Sequence, residues 1–91
     1  MKDEDILTIL KIDLQVSGEK LDTYLSQLIE TAKEYIRTEG IELEETAGDG
    51  QLVEMYAAYM YRRRREENAQ MPRMLRWALN NRLFSQKAGS S

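Results

Sequence analysis

Four consecutive arginines, Arg62 to Arg65, are the residues of this sequence best suited to chemical recognition. A guanidinium group keeps its charge at any physiological pH and presents several N–H donors, which fit carboxylates and phosphates. Successive residues of a helix lie about 100° apart, so four arginines in a row spread around most of its circumference. They therefore cannot all enter one groove of DNA. Arg62 and Arg65 are three residues apart and share a side that can face a partner.

The arginine run is compatible with three different roles. Its cations suit the C-terminal dipole of a solvated helix end, the acidic face of a protein partner, or the phosphates of a nucleic acid. The isoelectric point near 5.0 and the net charge of −3 argue against affinity built mainly on phosphate contacts. A small helical module that binds nucleic acid or a partner protein through this basic segment nevertheless remains the alternative interpretation.

Charge is divided unevenly along the chain. Residues 1–54 contain 5 Lys/Arg and 14 Asp/Glu, whereas residues 55–91 contain 8 and 2. Surfaces of opposite charge on one chain can attract each other between molecules. We therefore predict that the arginine run docks on acids of an adjacent copy. The candidate acidic counter-surface comprises Glu30, Glu34, Glu42, Glu44 and Glu45.

A second candidate site lies in the C-terminal segment, which carries the only tryptophan. Trp77 and Phe84 are seven residues apart and share a helix face, next to a second apolar edge at Leu75 and Leu79. Trp77 either completes the monomer core or is an exposed anchor at a subunit interface, where Trp and Arg are enriched. The predicted interface residues are Arg62, Arg63, Arg65, Arg73, Arg76, Trp77 and Phe84.

Catalysis is not expected from this composition. The chain contains no cysteine and no histidine, which excludes Ser-His and Cys-His pairs, disulfides and the usual soft metal sites. The acids at 42, 44, 45 and 49 lack the ordered spacing of a calcium loop. We therefore predict a protein that is not an enzyme and that has no metal or other cofactor.

The elements that must position these residues are predicted to be helices. Apolar residues at helical spacing predict four of them, so the fold class is a small all-α bundle in one domain. Gly40 stands where a left-handed helix end is expected, and Pro72 suits a first helical turn. The predicted helices run from Asp3 to about Lys11, from about Glu19 to Thr38, from about Asp49 or Gly50 to Glu67, and from Pro72 to about Ser85.

The remaining segments are predicted to be connections and ends. Residues 41–50 read as an acidic loop, and residues 85–91 as a frayed tail. No apolar run approaches the roughly 20 residues of a membrane span, and the acidic start "MKDED" differs from a signal peptide. A soluble, intracellular protein is expected.

Three segments in order resemble a known family. The first is a short helix, the link Leu10-Lys11-Ile12-Asp13 and a long helix with "LIETAKEYI" (28–36). The second is "VEMYAAYMYRRR" (53–64), and the third is "MPRMLRWALNNRLFS" (71–85). Over nearly the whole chain, they resemble the head-tail connector, or adaptor, proteins of long-tailed bacteriophages and prophages.

The resemblance implies a structural role in the virion. Members of that family are small helical proteins that form a ring below the portal, extend the DNA channel and present a surface to the next component. For this chain it implies contacts with other copies, the portal and a stopper or tail-completion protein, with DNA only as passing cargo. It places the protein at the head-tail junction and, during assembly, in the bacterial cytoplasm. Contacts with neighbouring subunits or the portal would fall on Arg62 to Arg65 and on Met71 to Phe84.

Overall fold

A computed structural model describes residues 1–89 and shows four helices in that range and no strand. This confirms the predicted all-α bundle. The helices are α1 (Asp3–Asp13), α2 (Asp22–Thr38), α3 (Ala47–Arg65) and α4 (Arg73–Gly89). None of the helices in residues 1–89 has the length and apolar character that crossing a membrane requires.

The core lies where α1 and α2 pack against α3. The apolar stripe predicted on α2, which includes Leu25, Ile29 and Ile36, is buried. It faces Ala57 and Ala58 of α3, which are also buried, and small side chains at such positions let helix axes approach closely. The core is therefore built mainly on α3. α4 packs against α3 as well, through a narrower contact.

The second helix begins three residues later than predicted. Residues 14–21 form turns, with positive φ at Gln15 (58°) and Gly18 (81°). Lys11 connects the end of α1 to this segment and to the start of α2. Its ammonium donates to the Gly18 carbonyl and lies 2.7 Å from the Asp22 carboxylate. Gly40, which follows the C-cap residue Glu39 of α2, has φ 96°, and this confirms the predicted left-handed helix end.

The third helix begins earlier than predicted, at Ala47, and ends at Arg65 rather than Glu67. Thr46 explains the early start, because its hydroxyl accepts a hydrogen bond of 3.2 Å from the Asp49 amide. This satisfies one of the free N–H groups of the first turn. The predicted loop at 41–50 is correspondingly shorter.

The frayed tail predicted for residues 85–91 is wrong over 85–89, where α4 continues to Gly89. Gln86 anchors this part of the helix to the segment that follows α2. Its side chain donates to the Gly40 carbonyl at 2.8 Å and accepts from the Glu42 amide at 2.7 Å. Tertiary hydrogen bonds therefore extend the helix beyond its apolar pattern. Ser90 and Ser91 lie outside the described residues.

Replacing Thr46 with alanine should lower the free energy of unfolding by about 1 kcal/mol, since the cap of α3 is lost. Urea denaturation followed by circular dichroism measures this difference. Thr23→Ala is the matched control, because Thr23 is exposed on α2 and its removal should change the free energy by less than about 0.5 kcal/mol. Equal effects of the two substitutions would contradict the capping role.

Candidate functional site

The arginine run forms the last turn of α3, with all four side chains exposed. Two of the four contact neighbouring helices. Arg62 Nη2 lies 3.5 Å from Asp13 Oδ1, and the Arg64 guanidinium carbon lies 4.7 Å from the centroid of the Tyr24 ring. Arg63 and Arg65 have no ion pair within residues 1–89. The end of α3 therefore offers a partner a dense positive charge.

The acidic loop residues Glu42, Glu44 and Glu45 lie at the opposite end of α3. They precede its first residue and have exposed side chains, whereas the arginines close a helix of 19 residues, about 28 Å long. Two copies packed side by side in the same orientation cannot bring these acids to the arginines. A contact between them requires copies packed end to end.

The other two candidate acids, Glu30 and Glu34, lie in the middle of α2 and are exposed. Glu30 lies 3.2 Å from the ammonium of Lys33, which also lies 2.6 Å from Asp3. Glu34 has no ion pair in the described part of the chain. These two acids are thus spatially separate from the acidic loop, and the predicted counter-surface is not one continuous patch.

The outward side of α4 carries three large apolar side chains. Met74, Trp77 and Phe84 are 67%, 63% and 74% exposed. Leu75 and Leu79, on the opposite side of the helix, are buried. Trp77 therefore does not complete the monomer core, and of the two roles considered for it only the exposed position agrees with the structure. A row of exposed apolar side chains on a small domain is typical of an interaction surface.

A groove of about 320 Å³ runs beside Trp77, between α3 and α4. Leu52 and Met55 line its α3 side, and Ala78 and Asn81 line its α4 side. The groove is open along the outward side of α4. It can therefore accept an apolar side chain from a molecule that packs against this helix.

The two predicted interface arginines of α4 differ in their contacts. Arg76 forms two hydrogen bonds with the Glu39 carboxylate, Nη1 to Oε1 at 2.9 Å and Nη2 to Oε2 at 2.8 Å. These hydrogen bonds raise the pKa of Arg76 further above its ordinary value and fasten the start of α4 to the end of α2. Arg73 is exposed and has no ion pair within the described range. Arg73 is thus the arginine of α4 that is available to a partner.

An ion pair between Asp49 and Arg82 joins the start of α3 to α4. Arg82 Nε lies 2.7 Å from Asp49 Oδ1 and Arg82 Nη2 lies 3.0 Å from Asp49 Oδ2. The amide of Glu44 donates to the same carboxylate at 2.8 Å. Burial raises the pKa of Asp49, but the bonds from Arg82 and Glu44 outweigh it and hold that pKa below its ordinary value.

Sequence reasoning missed this pair, because it grouped Asp49 with the solvated acids of the loop. Asp49 is only 4% exposed. Two signals could have revealed it. Thr46 and Asp49 have the spacing of a helix start that places both side chains near free amides. Arg82 interrupts the core-facing side of α4 between Leu79 and Leu83, where a lone cation requires a partner.

A second buried carboxyl, Glu54, was also missed. It is 5% exposed in the middle of α3, and its Oε2 has no hydrogen-bond partner within residues 1–89. Burial and the neighbouring Asp13 carboxylate raise the pKa of Glu54 to about 7, against a smaller opposite effect of Arg62. Its position one turn before Ala57 and Ala58, on the core side of α3, was the available signal.

Candidate metal ligands do not cluster in the described chain. Residues 1–89 contain no group of three or more acid, histidine or cysteine side chains placed to hold a metal ion. The acids at 42, 44 and 45 have their side chains at the surface, whereas Asp49 is bonded to Arg82.

Comparisons with protein-family models, curated proteins and solved structures find no match for this chain. The family resemblance therefore depends on the sequence segments alone.

Proposed function

We propose that this chain is a structural, non-enzymatic subunit of a bacteriophage head-tail connector. It forms a ring below the portal, extends the DNA channel and docks the next connector or tail component. The observation that carries the proposal is the outward side of α4, where Met74, Trp77 and Phe84 are each about two-thirds exposed. Such a surface on a small domain is typical of an interface with another protein.

The charges at the two ends of α3 support a ring in particular. If copies pack side by side in one orientation, every arginine run lies on one rim of the ring and every acidic loop on the other. The two rims then have opposite charge and suit two different partners, the portal and the stopper or tail-completion protein. DNA passes through the channel without sequence recognition, consistent with the net charge of −3. The protein acts at the head-tail junction of the virion, without a cofactor, after assembly in the bacterial cytoplasm.

Self-association is the property to test. We expect size-exclusion chromatography with light scattering, at high protein concentration, to show one large discrete species. Negative-stain electron microscopy should show that species as closed rings. A protein that stays monomeric and instead binds duplex DNA, with an affinity that falls steeply with salt, would overturn the proposal in favour of the nucleic-acid-binding alternative.

Replacing Trp77 with alanine should weaken self-association by about 30-fold or more, the loss typical of an interface hot spot of at least 2 kcal/mol. Sedimentation equilibrium across a concentration series measures the change. Tyr35→Ala is the control, because Tyr35 is also an exposed aromatic residue (49%) but lies on α2. If Tyr35→Ala weakens association as much as Trp77→Ala, α4 is not the interface.

A further inference from the structure

We infer that the outward side of α4 packs against α1 of a second copy. This inference rests on the proposed ring and specifies its subunit contact. The α4 face is defined by Arg73, Met74, Trp77, Asn81 and Phe84. The α1 face is defined by Asp5, Ile9, Ile12 and Asp13.

The α1 face is the second apolar helix surface of the molecule. Ile9 and Ile12 are 40% and 72% exposed, whereas Ile6 and Leu10, on the other side of α1, are buried. Within residues 1–89, five of the six exposed large apolar side chains belong to α1 or α4, and the sixth is Tyr35. Two faces of the same kind on one chain suit each other as partners.

The packing order of the helices leaves both faces uncovered and available for a contact between copies. α1 packs against α2 and α3, and α4 packs against α3. The core-facing sides of α1 and α4 are therefore occupied, and the α1 face and the α4 face remain at the surface of the bundle. In the inferred assembly of like-oriented copies, the α4 face of one copy packs against the α1 face of the next.

The relative direction of the two helices follows from contacts with α3. Asp13, at the end of α1, lies beside Arg62 at the end of α3, so α1 runs parallel to α3. Arg82, in the second half of α4, pairs with Asp49 at the start of α3, so α4 runs antiparallel to it. In a side-by-side assembly α4 therefore meets α1 of the next copy in an antiparallel direction.

One antiparallel register matches apolar and charged residues together. With Met74 opposite Ile12, Trp77 stands opposite Ile9, since both steps span three residues. The same register places Arg73 opposite Asp13, whose side chain lies beside Arg62 of its own copy and is still 42% exposed. One turn further along, Asn81 stands opposite Asp5. Asn81 follows Trp77 by four residues and Asp5 precedes Ile9 by four, as an antiparallel pairing requires. Side chains spaced by three and four residues share a helix face, so all four pairs lie along one contact line.

The two helices also differ in charge. α1 carries four acids and one lysine, whereas α4 carries no acid, and its Arg73 has no ion pair within residues 1–89. A contact of α4 with another α4 would bring like charges together. The contact of α4 with α1 joins two different surfaces, and such a heterologous contact generates a closed ring when the rotation between copies closes.

Cysteine cross-linking tests the register on a background without native cysteines. Ile12→Cys and Met74→Cys are made as separate single variants and mixed under mild oxidation. Opposed positions on packed helices lie close enough for a disulfide. We expect the mixture to form the mixed dimer at least 10-fold faster than either variant forms its own dimer. A chain with both substitutions should form a ladder of covalent oligomers.

Gln27→Cys mixed with Met74→Cys is the control, because Gln27 is exposed on α2, away from the α1 face. Rapid formation of Met74→Cys homodimers would instead show α4 packed on α4 and overturn the inference. So would cross-linking of Gln27 as fast as Ile12. If the unmodified protein still forms rings in either case, the proposed function stands and only this contact is wrong. If the protein neither self-associates nor cross-links, both fail.

Discussion

Replacing Asp49 with alanine should lower the free energy of unfolding by about 2–4 kcal/mol, the largest single loss that we expect outside the apolar core. The substitution leaves Arg82 without its carboxylate and the Glu44 amide without its acceptor. Asp49 is 4% exposed, so its removal takes away a carboxylate that lies inside the fold. A domain of this size has a total stability of about 5–14 kcal/mol, so a large fraction is lost.

Thermal and urea denaturation measure this loss, with Glu34→Ala as the control. Glu34 is exposed on α2, and its removal should change the free energy by less than about 0.5 kcal/mol. Together with Arg82→Ala and the double variant, Asp49→Ala forms a double-mutant cycle that measures the interaction free energy between Asp49 and Arg82. A loss for Asp49→Ala no larger than for Glu34→Ala would show that the pair contributes nothing.

The Asp49 carboxylate also makes the free energy of unfolding depend on pH in the acid range. Because the pKa of Asp49 is lower in the folded than in the unfolded chain, its contribution is present at neutral pH and is lost as the pH falls through that folded pKa. Asp49→Ala should therefore be closer in stability to the unmodified protein in strong acid than at neutral pH.

Replacing Glu54 with glutamine should stabilise the protein at pH 8 by about 1–3 kcal/mol and remove much of its pH dependence between pH 5.5 and 8. The pKa of Glu54 is raised to about 7 in the folded chain, first by burial and then by the Asp13 carboxylate. Between the unfolded pKa and about 7 the folded state holds a proton that the unfolded state has released. Stability therefore falls as the pH rises through this range.

The measurement is the urea midpoint of both proteins across that pH range. The chain has no histidine, so few other side chains titrate there. Glu34→Gln is the matched control and should keep the slope of the unmodified protein. If the urea midpoint of Glu54→Gln falls as steeply with rising pH as that of the unmodified protein, another group causes the pH dependence.

The four helices were readable from the sequence because each buries an apolar stripe of helical period. The apolar stripe from Leu25 to Ile36 predicts a helix whichever surface covers it in the folded chain. Gly40 ends α2 because glycine readily adopts a positive φ. The separation of acidic from basic residues along the chain was equally visible in the sequence. Because the acidic loop precedes α3 and the arginine run ends it, the two groups of charges lie at opposite ends of this helix.

Only the tertiary structure decided which polar residues are buried and which apolar residues are not. Asp49 and Glu54 look like surface acids in sequence, and they are buried because α4 and α1 cover them. The end of α4 depends on bonds from Gln86 to residues more than 40 positions away, which no local pattern contains. Trp77 could have turned inward or outward, since α4 has apolar residues on two sides. The bundle accepts only one of these sides, because α3 offers a single face to α4, and Leu75 and Leu79 occupy it.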